Sequence, residues 1–199
     1  MKQVIKLKCL GCKAPISTEQ KKCIYCGIAI VIESISSVQS MKPSELNNYA
    51  NAYREVLSEN PDNQEINTSL GFCYLKLELY DEAIDAFEKA MKNNTDNPEP
   101  FFYAAVSLLK GQKAFVAPRP NIDKIEKYIN AALKIEPKGI YYYFQAYIKQ
   151  DYFHRKFLNT TPTWEKALQT AIDYGITEEE VNMLFDILAV EIPGKLAIA

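Results

Sequence analysis

Four cysteines near the start of the chain have the residue type and the spacing of a metal site. Cys9 and Cys12 form one Cys-x2-Cys pair, and Cys23 and Cys26 form a second pair after ten intervening residues. Each pair turns two thiolates toward one point, and two pairs supply the four ligands of a closed tetrahedral zinc ion. A closed site leaves no position for a substrate. The spacing therefore predicts one structural zinc ion and argues against catalysis at this place.

Paired disulfides and a redox-active Cys-x2-Cys motif are the alternatives to zinc. The redox motif belongs in a βαβ context, and the surrounding sequence does not have that pattern. Cys73 stands alone in a helical pattern, which suits a reducing compartment better than a disulfide scaffold. No segment approaches the roughly 18 apolar residues of a transmembrane helix, and no signal-peptide stretch precedes Cys9. These features predict a cytoplasmic protein without a membrane partner.

The residues around the cysteines indicate a small β-structured module. Residues 4–8 and 28–32 are short β-prone runs, and Gly11 and Gly27 lie where tight turns need a permissive backbone. The string CLGCKAPISTEQKKCIYCG resembles the short zinc-ribbon family in its spacing, although Lys13 replaces the usual first glycine. The resemblance implies a zinc ribbon over residues 1–33, followed by a Ser-rich linker over residues 34–43.

Charge is unevenly distributed between this module and the rest of the chain. Residues 1–22 contain six lysines and a single glutamate, whereas the whole chain has a net charge of -2. Four thiolates and one zinc ion together contribute about -2, so the positive excess of the module is modest for binding nucleic acid. The remainder of the chain is acidic.

From about residue 44 the pattern of apolar residues becomes helical. In the segment NTSLGFCYLKLELYDEAIDAFEKAM, the small and aromatic residues recur at the spacing of two antiparallel helices. These positions resemble the tetratricopeptide repeat, with Asn67 in place of the leading Trp. In that packing, Gly71 and Ala83 let the two helices approach closely, while Tyr74 and Phe87 fill the gaps beside them.

Degenerate helical pairs flank this repeat on both sides. Tyr49, Tyr53 and Val56 resemble the second helix of a preceding half-repeat, and two further pairs follow with insertions near residues 112–120 and 152–162. A last helix begins after the cap residue Thr177. The predicted fold is all-α: a tetratricopeptide-like antiparallel helical solenoid over residues 44–192, with the small β zinc ribbon before it and a tail over residues 193–199.

The resemblance also implies a groove lined by the first helix of each repeat. Carried onto this chain, the groove positions of the family predict that the following residues contact a partner: Phe72, Lys76, Phe102, Val106, Lys110, Tyr142 and Lys149. Aromatic anchors with a row of lysines suit an apolar helix or extended peptide that carries acidic residues. The alternative is that Phe102, Tyr142 and Tyr143 are packing residues, because aromatic residues at helical spacing often belong to a core.

Three other residue types that often do chemistry have simpler interpretations. Cys73 is predicted to be a small buried apolar residue and not a nucleophile. His154, Arg155 and Lys156 are predicted to form a basic surface loop; the alternative is a nucleic-acid contact, because cations between aromatic residues can stack on bases and contact phosphate. The lone histidine has no neighbouring ligand that would make a metal site. Residues Glu178–Glu180 favour the positive end of the last helix.

Both modules predict binding and not catalysis. The sequence has no Gly-rich phosphate loop, nucleophile elbow or open zinc position. We therefore expect a non-enzymatic adaptor or scaffold, in which the helical groove binds a partner peptide and the zinc ribbon is a second docking module. One alternative is a nucleic-acid-associated factor that uses the basic ribbon. Another is a regulatory subunit of a bacterial signalling assembly, which rests on analogy between families alone.

Overall fold

The computed structural model describes residues 6–9, 12, 14–17, 20, 22–27, 30–92 and 96–198. Its contacts divide the chain into two compact units, residues 1–94 and residues 95–199. The linker predicted over residues 34–43 lies inside the first unit. There, Ile35–Val38 forms a 3-10 turn with Ile35 and Val38 buried.

The first unit begins with a short antiparallel strand pair. Strand β1 (Lys6–Lys8) pairs with strand β2 (Pro15–Ser17), with Leu7 opposite Ile16. The β-prone run predicted at residues 28–32 is not a strand at residues 30–32. Residues 4, 5, 11, 13, 28 and 29 lie outside the described residues.

Three helices follow in the first unit: α1 (Pro43–Glu59), α2 (Gln64–Lys76) and α3 (Tyr80–Met91). Helix α2 packs on both of the others. A Cβ atom added at Gly71 would lie 2.5 Å from a ring carbon of the buried Phe87, so only glycine allows this approach of α2 and α3. The spacing of the small and aromatic residues predicted this contact correctly.

Asn67 explains how this repeat does without the leading Trp. Its side-chain amide is buried and donates hydrogen bonds of 2.8 Å to the carbonyls of Pro61 and Asn63. The residue thus satisfies backbone acceptors at the start of α2, next to the N-cap Asn63, whose side chain accepts from the Ile66 N–H. Asn67, which bonds to two backbone carbonyls, thus occupies the position of the aromatic ring in the repeat pattern.

The second unit contains five helices in its described residues: α4 (Glu99–Ser107), α5 (Arg119–Ile135), α6 (Gly139–Ile148), α7 (Trp164–Asp173) and α8 (Glu178–Leu188). Helices α4 and α5 pack together, α6 packs on α5 and α7, and α8 contacts α4 and α6. Thr177 caps α8 as predicted, and Glu180 completes a capping box by accepting from the Thr177 N–H at 3.0 Å.

Two long connections interrupt the second unit. The first, between α4 and α5, includes a 3-10 turn at Ala114–Val116. The second begins as a π-helical turn at Lys149–Phe153 and a 3-10 turn at His154–Lys156, so part of the predicted insertion at residues 152–162 continues α6 as helix. In the tail, Leu196 is buried and its carbonyl accepts a 2.8 Å hydrogen bond from the Tyr143 hydroxyl.

Candidate functional site

The four cysteine sulfurs of the first unit lie together. All four atoms are within 4.8 Å of one another. The Sγ atoms of Cys9 and Cys26 are 3.3 Å apart, and those of Cys12 and Cys23 are 3.6 Å apart. Disulfide sulfurs lie about 2.05 Å apart, so the five cysteines, all of them described, are thiols and not disulfides.

Two backbone turns position these sulfurs. The Cys9 N–H donates to the Ala14 carbonyl at 2.8 Å, and the Gly27 N–H donates to the Cys23 carbonyl at 2.8 Å. Gly27 has a φ of 75°, which is the permissive backbone that the sequence predicted there. Cys9 and Cys23 are buried against Ile16 and Ile30, whereas Cys12 and Cys26 are exposed. The cluster is therefore anchored on one side and open to solvent on the other.

The donor set fits a zinc ion. A tetrahedral ion with Zn–S bonds of about 2.3 Å requires sulfurs about 3.8 Å apart, and the sulfur separations here lie around that value. Such an ion would have Cys9, Cys12, Cys23 and Cys26 as its ligands. The four closely spaced cysteines could thus hold one metal ion.

The segment after the cysteines is tied to the helices of the same unit. The Tyr53 hydroxyl of α1 donates to the Ile30 carbonyl at 3.0 Å, and the Ser69 hydroxyl of α2 donates to the Ile32 carbonyl at 3.0 Å. All four residues are buried. Burial also raises the pKa of Tyr53 well above its ordinary value. The cysteine-containing module is therefore held on α1 and α2 by buried hydrogen bonds.

Three of the predicted groove residues are core residues. Phe72 is fully buried and packs edge-on against Phe87, with 5.7 Å between ring centroids. Phe102 packs 4.6 Å from the Tyr141 ring, and Val106 is buried on the same helix. Tyr143 packs against Phe185 of α8. This burial favours the packing alternative for these aromatic residues, and their contact with a partner stays a prediction.

The other predicted groove residues are distributed between surface and core. Lys76 is half-buried and donates to the Gln39 side chain at 3.3 Å, Lys110 is exposed, and Tyr142 is half-buried against Tyr174. Lys149 is only 4% exposed, where it forms an ion pair with Glu126 of α5 and donates to the Thr160 hydroxyl. Lys76, Lys110 and Tyr142 are thus the predicted residues that solvent reaches.

The sequence did not reveal a polar cluster where the two insertions meet. Asp151, in the π-helical turn, is buried, accepts from the Phe115 N–H at 2.8 Å and forms an ion pair with Arg155. The Tyr147 hydroxyl accepts from the Ala114 N–H at 3.2 Å. These bonds join the second insertion to the first. The one signal in the sequence was the run Lys149–Asp151, which is polar although it continues an apolar helix.

Cys73 and His154 have the ordinary positions that we expected. Cys73 is buried in α2, and burial raises the pKa of its thiol to about 12, so the thiolate that a nucleophile needs is scarce at neutral pH. His154 is exposed, and its ring lies edge-on to Trp164 at 6.0 Å.

Comparison with known proteins agrees with the helical packing. Residues 50–109 match the family model described as "Tetratricopeptide repeat". A structure described as "Crystal structure of MamA" is similar with a TM-score of 0.57 at 13% identity, and the match covers 78% of this chain and 84% of that chain. A second, "MamA MSR-1 C2", has a TM-score of 0.48 at 20% identity, covering 76% of this chain and 72% of that one. No curated protein matches the sequence. The first of these structures shows a shared fold.

No helix in the described ranges combines the length and the apolar character that crossing a bilayer requires.

Proposed function

We propose that this chain, with tetratricopeptide repeat packing over residues 50–109, is a non-enzymatic protein-interaction scaffold. The contact of Gly71 with Phe87 carries the proposal, because it is the close helix approach that tetratricopeptide pairs need to stack. Stacked helical pairs present long surfaces, and their recurrent use is to bind peptides or helices of other proteins.

The partner-binding residues of this proposal are those that solvent reaches. In the first unit this is Lys76, and in the second unit these are Lys110 and Tyr142. The buried residues Phe72, Phe102, Val106 and Lys149 shape the helices that carry them. Solvent-accessible lysines and a partly exposed tyrosine suit a peptide that has both acidic and apolar side chains.

Affinity capture with paired variants tests the binding surface of the second unit. Lys110→Glu together with Tyr142→Asp should remove the proteins that the wild-type chain captures from native lysate. Lys134→Glu is the matched control, because Lys134 is an exposed lysine on α5 and is not among the predicted groove residues. Equal capture by all three proteins would contradict the proposal.

The cysteine cluster contributes a structural metal in this proposal. Cys9, Cys12, Cys23 and Cys26 bind one zinc ion, which fixes the β-ribbon as a second docking module in a region with a small core. Ile24 and Tyr25, between the ligands Cys23 and Cys26, are 71% and 66% exposed, so the ribbon offers apolar surface to a partner.

Native mass spectrometry tests the metal. The wild-type protein should carry one zinc ion, and Cys9→Ser with Cys12→Ser should carry none. Cys73→Ala is the control, because the buried thiol of Cys73 is not among the four clustered sulfurs. Zinc retained by the double variant, or absent from protein purified with zinc, would overturn this part of the proposal.

A further inference from the structure

The chain leaves the 3-10 turn His154–Lys156 through a Schellman motif with an unusual residue at its centre. Phe157 has a φ of 56°, its N–H donates to the His154 carbonyl at 3.1 Å, and the Leu158 N–H donates to the Phe153 carbonyl at 2.9 Å. This is the helix ending in which one residue takes the left-handed conformation. Glycine is preferred there, because a side chain in that conformation costs free energy.

Another helix end of the same unit shows the ordinary solution. After α7, Gly175 has a φ of 73°, and the Ile176 N–H donates to the Ala171 carbonyl at 3.1 Å. The two endings have the same bonding pattern, but one places glycine and the other a bulky aromatic residue in the left-handed position. Glu78, Lys110 and Ala189 also have positive φ in this chain, so what distinguishes Phe157 is the bulky apolar ring at such a position.

Packing does not account for Phe157. The side chain is 96% exposed, so it contributes almost nothing to the core, and an apolar ring in water adds no stability. Val116, in the other insertion, is 62% exposed. A residue that is unfavourable for the backbone and unused in the core points to a role outside the folded chain.

The loop that carries Phe157 is held firmly. The preceding Lys156 places its Nζ atom 3.8 Å from the centre of the Tyr152 ring and 5.1 Å from the centre of the Phe115 ring. The guanidinium of Arg155 lies 4.2 Å from the same Phe115 ring, and Asp151 binds both Arg155 and the Phe115 backbone. The exposed ring thus stands on a preorganised base, which lowers the entropic cost of binding.

The two insertions are basic in an acidic chain. Residues 112–120 and 152–162 contain Lys113, Arg119, Arg155 and Lys156 but no aspartate or glutamate, whereas the whole chain has a net charge of -2. Lys113 and Arg119 are exposed. An exposed apolar ring on basic connections is complementary to an apolar pocket with acidic residues around it.

We propose that Phe157 is the anchor of a protein-docking surface formed by the two insertions, and that its partner is an acidic protein segment with apolar side chains. This surface is distinct from Lys110 and Tyr142, and the inference rests on the scaffold function proposed above. The ring inserts among apolar side chains of the partner, and Lys113 and Lys156 meet its acidic residues.

The charge present is too small for a membrane or a nucleic acid. Arg119 pairs with Asp123 at 2.8 Å, and Arg155 pairs with Asp151, so two of the four cations are balanced within the chain. Anionic membranes attract clusters of about four to eight basic residues, and each phosphate contact also requires its own cation. A protein partner needs only a few well-placed charges.

Peptide selection on the full-length, zinc-loaded protein tests this surface. A random-peptide display library is the probe, and enriched peptides should be acidic with apolar residues. Phe157→Gly should weaken their binding by about tenfold or more while raising the melting temperature, because glycine relieves the backbone. Phe157→Asn is a second variant, because asparagine tolerates the same backbone conformation, and it should also weaken peptide binding. Lys113→Glu should weaken peptide binding as well. Ile172→Ser, which removes another exposed apolar residue, should change nothing.

The outcomes separate this inference from the scaffold proposal. The variant with Lys110→Glu and Tyr142→Asp should bind the selected peptides as the wild-type protein does. If that variant loses peptide binding while Phe157→Gly retains it, the docking surface is overturned and the scaffold proposal stands. If the library yields no enriched peptides, both proposals are contradicted. Phe157-dependent binding to phosphatidylserine vesicles or RNA, without peptide enrichment, overturns the inference in favour of those ligands. A melting temperature lowered by Phe157→Gly assigns the ring a structural role and also overturns it.

Discussion

The two compact units differ in where their polar and metal-binding side chains lie. Residues 1–94 gather four thiols on short turns and join their repeat helices α2 and α3 by a connection of three residues. Residues 95–199 have long connections and bury Lys149 and Asp151 where those connections meet. The proposed zinc ion would order part of the first unit, whereas the second unit has its own buried ion pairs. Each unit should therefore respond to a different perturbation.

Zinc removal should have the largest effect and should be confined to the first unit. Structural zinc contributes about 10 kcal/mol or more to small zinc modules, so a strong chelator should expose the amides of β1 and β2 to hydrogen exchange. Helices α4 to α8 should keep their protection. Unchanged exchange at the strands, or equal loss in both units, would contradict the comparison.

The buried ion pair should dominate the response of the second unit. Glu126→Gln leaves the Lys149 ammonium buried without its carboxylate, and we expect a loss of about 3 kcal/mol in the free energy of unfolding. Lys149→Met removes the buried charge and keeps the volume, and the Glu126 side chain that it leaves is 25% exposed to water, so its cost should be smaller, about 1 kcal/mol. Urea denaturation measures both. Equal losses of unfolding free energy for the two variants would show that the ion pair is solvated.

Gly71→Ala measures how tightly the repeat of the first unit is packed. The new Cβ atom meets the buried Phe87 ring, so we expect a loss of about 2 kcal/mol, although alanine is the better helix former by about 1 kcal/mol. Gly194→Ala is the matched control, because its Cβ atom would meet nothing within 4 Å. A stabilising effect of Gly71→Ala, measured by thermal unfolding, would mean that α2 and α3 are further apart.

The smallest predicted effect is a pH dependence in the second unit. Burial raises the pKa of Glu99, although Lys138 opposes the shift. A carboxyl group with a raised folded-state pKa stabilises the protein below its unfolded pKa, and this contribution is lost as the pH rises through the folded value. Glu99→Gln should therefore melt at a slightly higher temperature than wild type at pH 7 and at the same temperature at pH 3.5. Glu59→Gln, at an exposed position, is the control. A lower melting temperature of Glu99→Gln than of the wild type at pH 7 would show that ionised Glu99 stabilises the protein, which contradicts the prediction.

The sequence predicted what depends on local spacing. The cysteine pairs, the contact of Gly71 with Phe87 and the cap at Thr177 all follow from residue types at fixed offsets, and the structure has each of them. Such signals lie within a short stretch of sequence, at most 17 residues from Cys9 to Cys26, where few distant contacts compete with them.

Features set by distant contacts were not predictable. Residues 30–32 looked like a strand, but the carbonyls of Ile30 and Ile32 accept from Tyr53 and Ser69 instead of from a neighbouring strand. The buried state of Asp151 depends on the Phe115 backbone, 36 residues away in the chain. The left-handed conformation of Phe157 was not predictable either, because its sequence context resembles an ordinary basic loop.

Site-specific photocrosslinking in cells tests the scaffold function most directly. A photoreactive amino acid at position 110 or 142 should give discrete crosslinks to other proteins, and the same probe at the exposed position 134 of α5 should give none. Crosslinking at position 134 equal to that at 110 and 142, or no protein crosslinks at either surface position, would contradict the account.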